Sequence, residues 1–384
     1  MKSWCLPDKS VGAGAEAGFD DLMAEVQGIC DARFEAVRDV LAASLDDKDV
    51  GASVAVYLGD EPVVDLWGGY SDAARTRSWE SDTITCVFST TKTMAALCAL
   101  ILADRGVVDL DAPVVEYWPE FGALGKDKVL VRHVLGHTAG LPTWQEKLRA
   151  EQLFDWPLMT RLLAEQELGS EPGVVGAYHS ITQGYLIGEV VRRTTGRSLG
   201  AFFAEEVAGP LEADFHLELA PEHDHRVAPV IPATTRAAKL AALGAGNPEI
   251  PAELANTEAW RRADIPSAGG FGNARSVAAV QSVLACGGEA RGVRLLSEAG
   301  CERVLEQQFF GEDAVLGRTI RYGMGYGLMQ ARTCSWGGWG GSLVLVDLEK
   351  QLTVAYVMNQ MLEEGPLGDD RGLGILLATY EGLT

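Results

Sequence analysis

Apolar positions recur at two different spacings along this chain of 384 residues, and the spacings separate by region. Near the start, Leu22, Val26, Ile29, Phe34, Val37 and Leu41 follow helical spacing. They predict a helix from about residue 20 with Asp20 or Asp21 as N-cap, behind a loose polar arm of ten to nineteen residues. Ala52 to Leu58 and Val63 to Trp67 are short apolar runs on either side of Gly59-Asp60-Glu61, which predicts a hairpin. Leu343 to Leu348 and Leu352 to Met358 form a second such pair around Glu349-Lys350, and a helical pattern closes the chain from about Arg371 to Tyr380. The middle is different, with helical patterns at 89–105, 157–167, 181–195, 199–208, 274–286 and 297–307. Residues 221–266 hold six prolines and read as an extended excursion over the surface. Strands at both chain ends around a helical middle predict an α+β protein, with an antiparallel sheet built from the two ends.

Composition adds limits to this picture. Apolar residues make up 47% and charged residues 22%, enough for a real core in one large domain or two. The 32 basic side chains face 54 acidic ones, a net charge of −22. That balance argues against nucleic acid and anionic membrane as partners, because both reward clustered Lys and Arg. The longest apolar run, Met94 to Ala103, falls well short of the roughly 18 residues a membrane span needs, and no secretory signal is evident at the N-terminus. Seven scattered cysteines without Cys-x-x-Cys favour reduced thiols in a cytoplasmic protein. The six histidines contain no His-Glu-x-x-His, and His223-x-His225 sits among Glu222 and Asp224 in a Pro-flanked stretch, where a solvated polar loop is the better reading. No metal and no cofactor are expected.

Candidate chemistry concentrates at three places. Ser89-Thr90-Thr91-Lys92 opens a helix, and a spacing of three puts both side chains on one face. A serine hydroxyl becomes a good nucleophile when a neighbouring base takes its proton, and a desolvated lysine can serve. Seventeen serines and nine lysines give about 0.4 such pairs by chance, so the spacing alone decides little, and Ser89 could be a simple N-cap. The context decides: the helix is so apolar that Lys92 would head a buried element. Tyr178-His179-Ser180 precedes another helix, and a loop tyrosine beside a lysine could act as general base, although core packing fits as well. Cys334-Ser335-Trp336-Gly337-Gly338-Trp339-Gly340-Gly341-Ser342 leads into the last hairpin, and its glycines allow close backbone approach. Ser198, in Gly196-Arg197-Ser198-Leu199-Gly200, is a rival nucleophile, but a helical pattern precedes it where a hydrolase elbow needs a strand. It reads better as an N-cap. Trp144, Phe154, Trp156, Trp260, Phe309 and Tyr326 are candidate pocket aromatics, each also explicable as core.

In this order, Ser-x-x-Lys, the tyrosine motif and aromatic-Gly-Gly resemble the serine β-lactamase-like hydrolases of the class C type, and within them the family VIII carboxylesterases. His137-Thr138-Ala139-Gly140-Leu141-Pro142, Trp67-Gly68-Gly69-Tyr70-Ser71-Asp72 and Tyr356-Val357-Met358-Asn359 are similar to further segments of that family. The resemblance runs from about residue 30 to the end. It implies a β-lactamase/penicillin-binding-protein-like fold: an α/β domain from residues 1–85 and 320–384, a mainly helical domain over 86–319, and the site at their seam. It further implies Ser89 as the acylated nucleophile, Lys92 helping to deprotonate it and holding Tyr178 as a phenolate, and Tyr178 shuttling the proton to the leaving alcohol. Backbone N–H groups of Ser89 and Trp339 would form the oxyanion hole, with Trp336, Gly337, Gly338 and His179 touching substrate. In a second frame, Trp339-Gly340-Gly341, the donor moves to Ser342.

Two departures bear on substrate. Ser180 replaces the asparagine of the family's Tyr-x-Asn, and Trp336 replaces the lysine that grips a β-lactam carboxylate. Both favour a small neutral ester as partner and carboxylesterase as activity. An acyltransferase of the same fold is the alternative, ahead of a β-lactamase or D-Ala-D-Ala peptidase and of a non-catalytic homologue. Oligomeric state stays open, a homodimer included.

Overall fold

The computed structural model describes residues 25–233, 246–362 and 368–384. Thirteen strands are present among them: β1 (Val26–Cys30), β2 (Gly51–Leu58), β3 (Glu61–Gly69), β4 (Thr85–Cys86), β5 (Phe271–Gly272), β6 (Glu289–Ala290), β7 (Val293–Arg294), β8 (Phe309–Glu312), β9 (Thr319–Tyr322), β10 (Gly327–Leu328), β11 (Thr333–Gly337), β12 (Leu343–Asp347) and β13 (Leu352–Met358). The helices used below are α1 (Glu35–Asp47), α2 (Thr91–Asp104), α3 (Thr182–Thr195), α4 (Leu199–Phe203), α5 (Ala274–Ala285) and α6 (Asp370–Glu381).

Nine strands make one sheet in the order β1-β3-β2-β13-β12-β11-β10-β9-β8. The two predicted hairpins, β2–β3 and β12–β13, join edge to edge through the antiparallel pair β2–β13, from Ala52↔Met358 to Leu58↔Leu352. Both chain ends therefore build the sheet. One face carries α1 and α6, where Phe34, Val37, Leu41 and Leu376 pack on Val54, Val64 and Tyr356. The other face carries α5, which packs against β2, β12 and β13. With both faces covered, Ala52 to Tyr57 are all buried, which is why β2 reads as a continuous apolar run rather than an alternation.

The first predicted helix is corrected. Val26 and Ile29 lie on strand β1, paired to β3, and the helix begins at Glu35. Gly28 takes φ +107°, and a Cβ there would lie 2.0 Å from the Asp65 carbonyl oxygen, so helical spacing in this stretch coincides with an edge strand. The helical turn starts where Asp31 accepts the Arg33 N–H, at 3.0 Å. The proposed caps Asp20 and Asp21 lie outside the described residues. The pattern over 297–307 also shortens, to a helix over 298–302 and a 3₁₀ turn over 303–305.

Helix α2 carries the site. Every residue from Thr91 to Leu102 is buried, as expected for a helix apolar on all sides. Leu97→Ala, at a fully buried position, should lower unfolding free energy by about 2–5 kcal/mol in urea denaturation, and a loss under about 0.5 kcal/mol would contradict this placement.

Candidate active site

Ser89 lies in a 3₁₀ turn over Phe88–Thr90 that runs directly into α2. Phe88, just before it, has φ +44°, an uncommon conformation for a bulky side chain, and its ring packs against Trp339 at 5.2 Å and Trp260 at 6.5 Å. Ser89 retains 8% exposure, whereas Lys92, one turn on, retains 1%. The amine lies 3.2 Å from Ser89 Oγ and donates to the backbone carbonyls of Ser180 at 2.6 Å and Ser267 at 3.0 Å. Burial drives its pKa well below the ordinary lysine value, since charge is costly without water.

Tyr178 donates to the same oxygen from another side, at 2.8 Å. The amine lies over the tyrosine ring, 5.0 Å from its centroid, so Lys92 and the phenol meet through Ser89. Burial raises the Tyr178 pKa above 10, with the Ser89 hydrogen bond opposing that rise. Both directions, the phenol's upward and the amine's downward, run against the expected phenolate held by a charged lysine. Behind Tyr178 stand Trp336, with ring centroids 5.6 Å apart, and His137, at 5.0 Å. The Trp336 indole N–H is buried and has no hydrogen-bond partner among the described residues.

The loop that carries Tyr178 is held by two histidines. His137 Nδ1 accepts the His179 N–H at 3.1 Å, and the His137 carbonyl accepts the Ala177 N–H at 3.0 Å. His179 is fully buried, with Nε2 accepting the Leu141 N–H and Nδ1 against the Ala177 carbonyl. Burial takes its pKa down to about 4, so it stays neutral. The expectation that His179 touches substrate is therefore corrected: both ring nitrogens are engaged with backbone, and the residue braces the loop.

The glycine-rich run meets the nucleophile's turn directly. Ser342 Oγ donates to the Val87 carbonyl at 2.9 Å and lies 2.9 Å from Thr90 Oγ1. A Cβ on Gly338 would come within 2.2 Å of both Val87 O and Ser342 Oγ, so only glycine permits this approach. Gly337 ends β11, Gly338 N–H bonds the Ser342 carbonyl at 2.7 Å, and the Trp339 N–H bonds no described residue. Ser198, the rival, caps α4 by accepting the Ala201 N–H at 3.0 Å. Of the candidate pocket aromatics, Trp144 and Tyr326 are core, their polar atoms bonded to Met159 O and to Gln281 and Thr93 O.

A family model described as Beta-lactamase matches residues 34–379. This chain belongs to the Beta-lactamase family. It is 34% identical to Esterase/beta-lactamase LipL of Mycobacterium tuberculosis (strain ATCC 25618 / H37Rv) over 372 residues, spanning 90% of this chain and 86% of LipL. A solved family VIII carboxylesterase shares 40% identity at a TM-score of 0.88, covering 93% of this chain and 100% of that chain. A solved penicillin-binding protein homologue from Caulobacter crescentus shares 32% identity at a TM-score of 0.86, with 93% and 100% covered. This chain is a hydrolase of the esterase/β-lactamase fold.

In this family member, sequence spacing pointed to Ser89, Lys92 and Tyr178 but missed the groups that fix them. The Ser267 carbonyl comes from the end of the proline-rich excursion, where no side-chain signal could mark it. His137 was visible only as part of a segment resembling the family. Gly338→Ala tests the contact between the two turns: the added methyl should cost about 1–3 kcal/mol in thermal or urea denaturation by overpacking, and a neutral effect would contradict the geometry.

Proposed function

We propose that this protein is a carboxylesterase that cleaves short-chain esters through an acyl-enzyme on Ser89. The convergence of Lys92 and Tyr178 on one oxygen, Ser89 Oγ, carries this reading. A neutral amine has two N–H groups and one lone pair. The Ser180 and Ser267 carbonyls occupy the N–H groups, which leaves the lone pair for the Ser89 hydroxyl proton. Lys92 is thus the base for acylation. As Ser89 Oγ bonds the ester carbonyl carbon, its proton passes to Lys92 Nζ, and the N–H groups of Ser89 and Trp339 stabilise the oxyanion. The C–O bond to the alcohol then breaks, with Tyr178 giving its proton to the leaving oxygen and recovering one from Lys92. In the second half water adds to the acyl carbon, gives a proton to the same pair, and Ser89 Oγ leaves protonated.

Trp336, rather than Trp339, lies against Tyr178, which supports the first Trp-Gly-Gly frame and the Trp339 N–H as donor. An apolar indole where the β-lactam-binding lysine would stand favours neutral esters. All six described cysteines carry free thiols, which supports the cytoplasm as compartment.

Four measurements test this reading. Ser89→Ala should lose p-nitrophenyl acetate hydrolysis by at least about a thousandfold, while Ser198→Ala keeps it; equal rates for wild type and Ser89→Ala would refute the assignment. A fluorophosphonate should add one phosphonyl group at Ser89 by intact mass, and an added alcohol or amine that captures the acyl group faster than water would make the enzyme an acyltransferase. For pH, the rate needs Lys92 neutral and Tyr178 protonated. kcat/KM should therefore fall only as pH drops through the lowered Lys92 pKa, far on the acid side of 10.5, and hold up to at least pH 10 on the Tyr178 side. A limb at the ordinary lysine value would contradict the role of Lys92.

A further inference from the structure

The turn that carries the Trp339 N–H rests on a buried ion cluster far from it in sequence. Arg371, in the first turn of α6, is 1% exposed. Its Nη1 donates to Asp49 Oδ1 at 2.6 Å and to the Gln360 carbonyl at 2.9 Å. Its Nη2 donates to Asp369 Oδ2 at 2.6 Å and to the Gly340 carbonyl at 2.5 Å, and Nε donates to Asp369 Oδ1 at 3.1 Å. All five N–H groups of the guanidinium are thereby used. Asp49 is fixed in turn by Tyr356 Oη and Ser44 Oγ, each donating to Oδ2 at 2.6 Å. One side chain gathers the loop before β2, the second residue after β13, the start of α6 and the glycine turn.

The turn needs such a support. Gly340 and Gly341 both have positive φ, +99° and +132°, so two adjacent peptide units lack the restraint a side chain would give. A Cβ on Gly341 would lie 2.3 Å from Arg371 Nη2, which places the turn directly on the guanidinium. On the other side, the Gly338 N–H bonds Ser342 O, and Ser342 Oγ bonds Val87 O. Trp339 lies between these two anchorages.

We propose that Arg371 is a positioning residue for ester hydrolysis: by pinning the Gly340 carbonyl it holds the Trp339 N–H in line with the Ser89 turn. The proposal rests on the reading of Ser89 and Trp339 given above. Arginine is required because its planar fork serves five acceptors at once, whereas a lysine ammonium offers three donors from one point. Loosening the turn should damage the transition state more than substrate binding, since an oxyanion donor acts on charge that develops during reaction.

The test compares Arg371→Lys, Asp369→Asn and Tyr356→Phe in the full chain, with p-nitrophenyl acetate as substrate and phenylboronic acid as a probe that becomes tetrahedral on Ser89. Arg371→Lys should lower kcat about 10- to 100-fold, leave KM within about threefold, and weaken boronate inhibition in proportion to kcat/KM. Asp369→Asn should move the same quantities the same way by a smaller factor, which keeps the test open if Arg371→Lys fails to fold. Tyr356→Phe removes one bond of the cluster without touching the one to Gly340, so it should lower the melting temperature and leave kcat and boronate affinity unchanged. Kinetic constants and boronate inhibition within about twofold of wild type in both Arg371→Lys and Asp369→Asn would overturn the proposal. Wild type that is untouched by the boronate, with Ser89→Ala fully active, would instead overturn the site reading and the Arg371 role with it.

Discussion

An amine sealed from water inside an apolar helix head can keep a proton only at high cost, and Lys92 is held in that position. A buried, unpaired ammonium costs several kcal/mol, and a group so placed lowers its pKa and sheds the charge instead. Two carbonyl oxygens accept from Lys92 and the Ser89 hydroxyl completes its surroundings, while burial lowers its pKa well below the ordinary lysine value. The rest of the site follows from that constraint. On the proposed reading, Ser89 would gain a base without a histidine, and Tyr178 would remain a proton donor because no neighbouring ammonium draws out its proton.

The fold supplies the constraint from separate stretches of chain. Helix α2 brings Ser89 and Lys92, the loop before α3 brings Tyr178 and the Ser180 carbonyl, and the end of the excursion brings the Ser267 carbonyl. The sheet presents Trp336 and the glycine turn from β11. Close contact between these pieces depends on small groups at the crossing points: Gly338 against Val87, and Ser342 bonded to both Val87 and Thr90. Two buried histidines brace the Tyr178 loop, and a buried arginine braces the glycine turn. Neutral rings suit the first task, which asks for matched donors and acceptors, while the second needs one group that serves five acceptors.

What the sequence made legible is what local spacing encodes. Both hairpins, the apolar helix over 91–104 and the Ser89-Lys92 pair are short-range patterns, and each is present in the structure. Val26 and Ile29 misled because an edge strand with a positive-φ glycine happened to fall at helical spacing. His179 misled because the family resemblance implied substrate contact for it, whereas its nitrogens are directed at Leu141 and Ala177. The Ser267 carbonyl and the Arg371 cluster were invisible for another reason. A backbone oxygen carries no residue signature, and the partners Asp49 and Arg371 are separated by 322 positions. Nothing in either neighbourhood predicts the other.

The central claim, a neutral Lys92 beside Ser89, can be measured without turnover. The chain has nine lysines, few enough for lysine side-chain carbons labelled with carbon-13 to be followed individually by NMR against pH. The account predicts one resonance, missing in Lys92→Met, that titrates well below the ordinary lysine value of 10.5 while the exposed lysines titrate near it. A Lys92 resonance that titrates with those exposed lysines would contradict it.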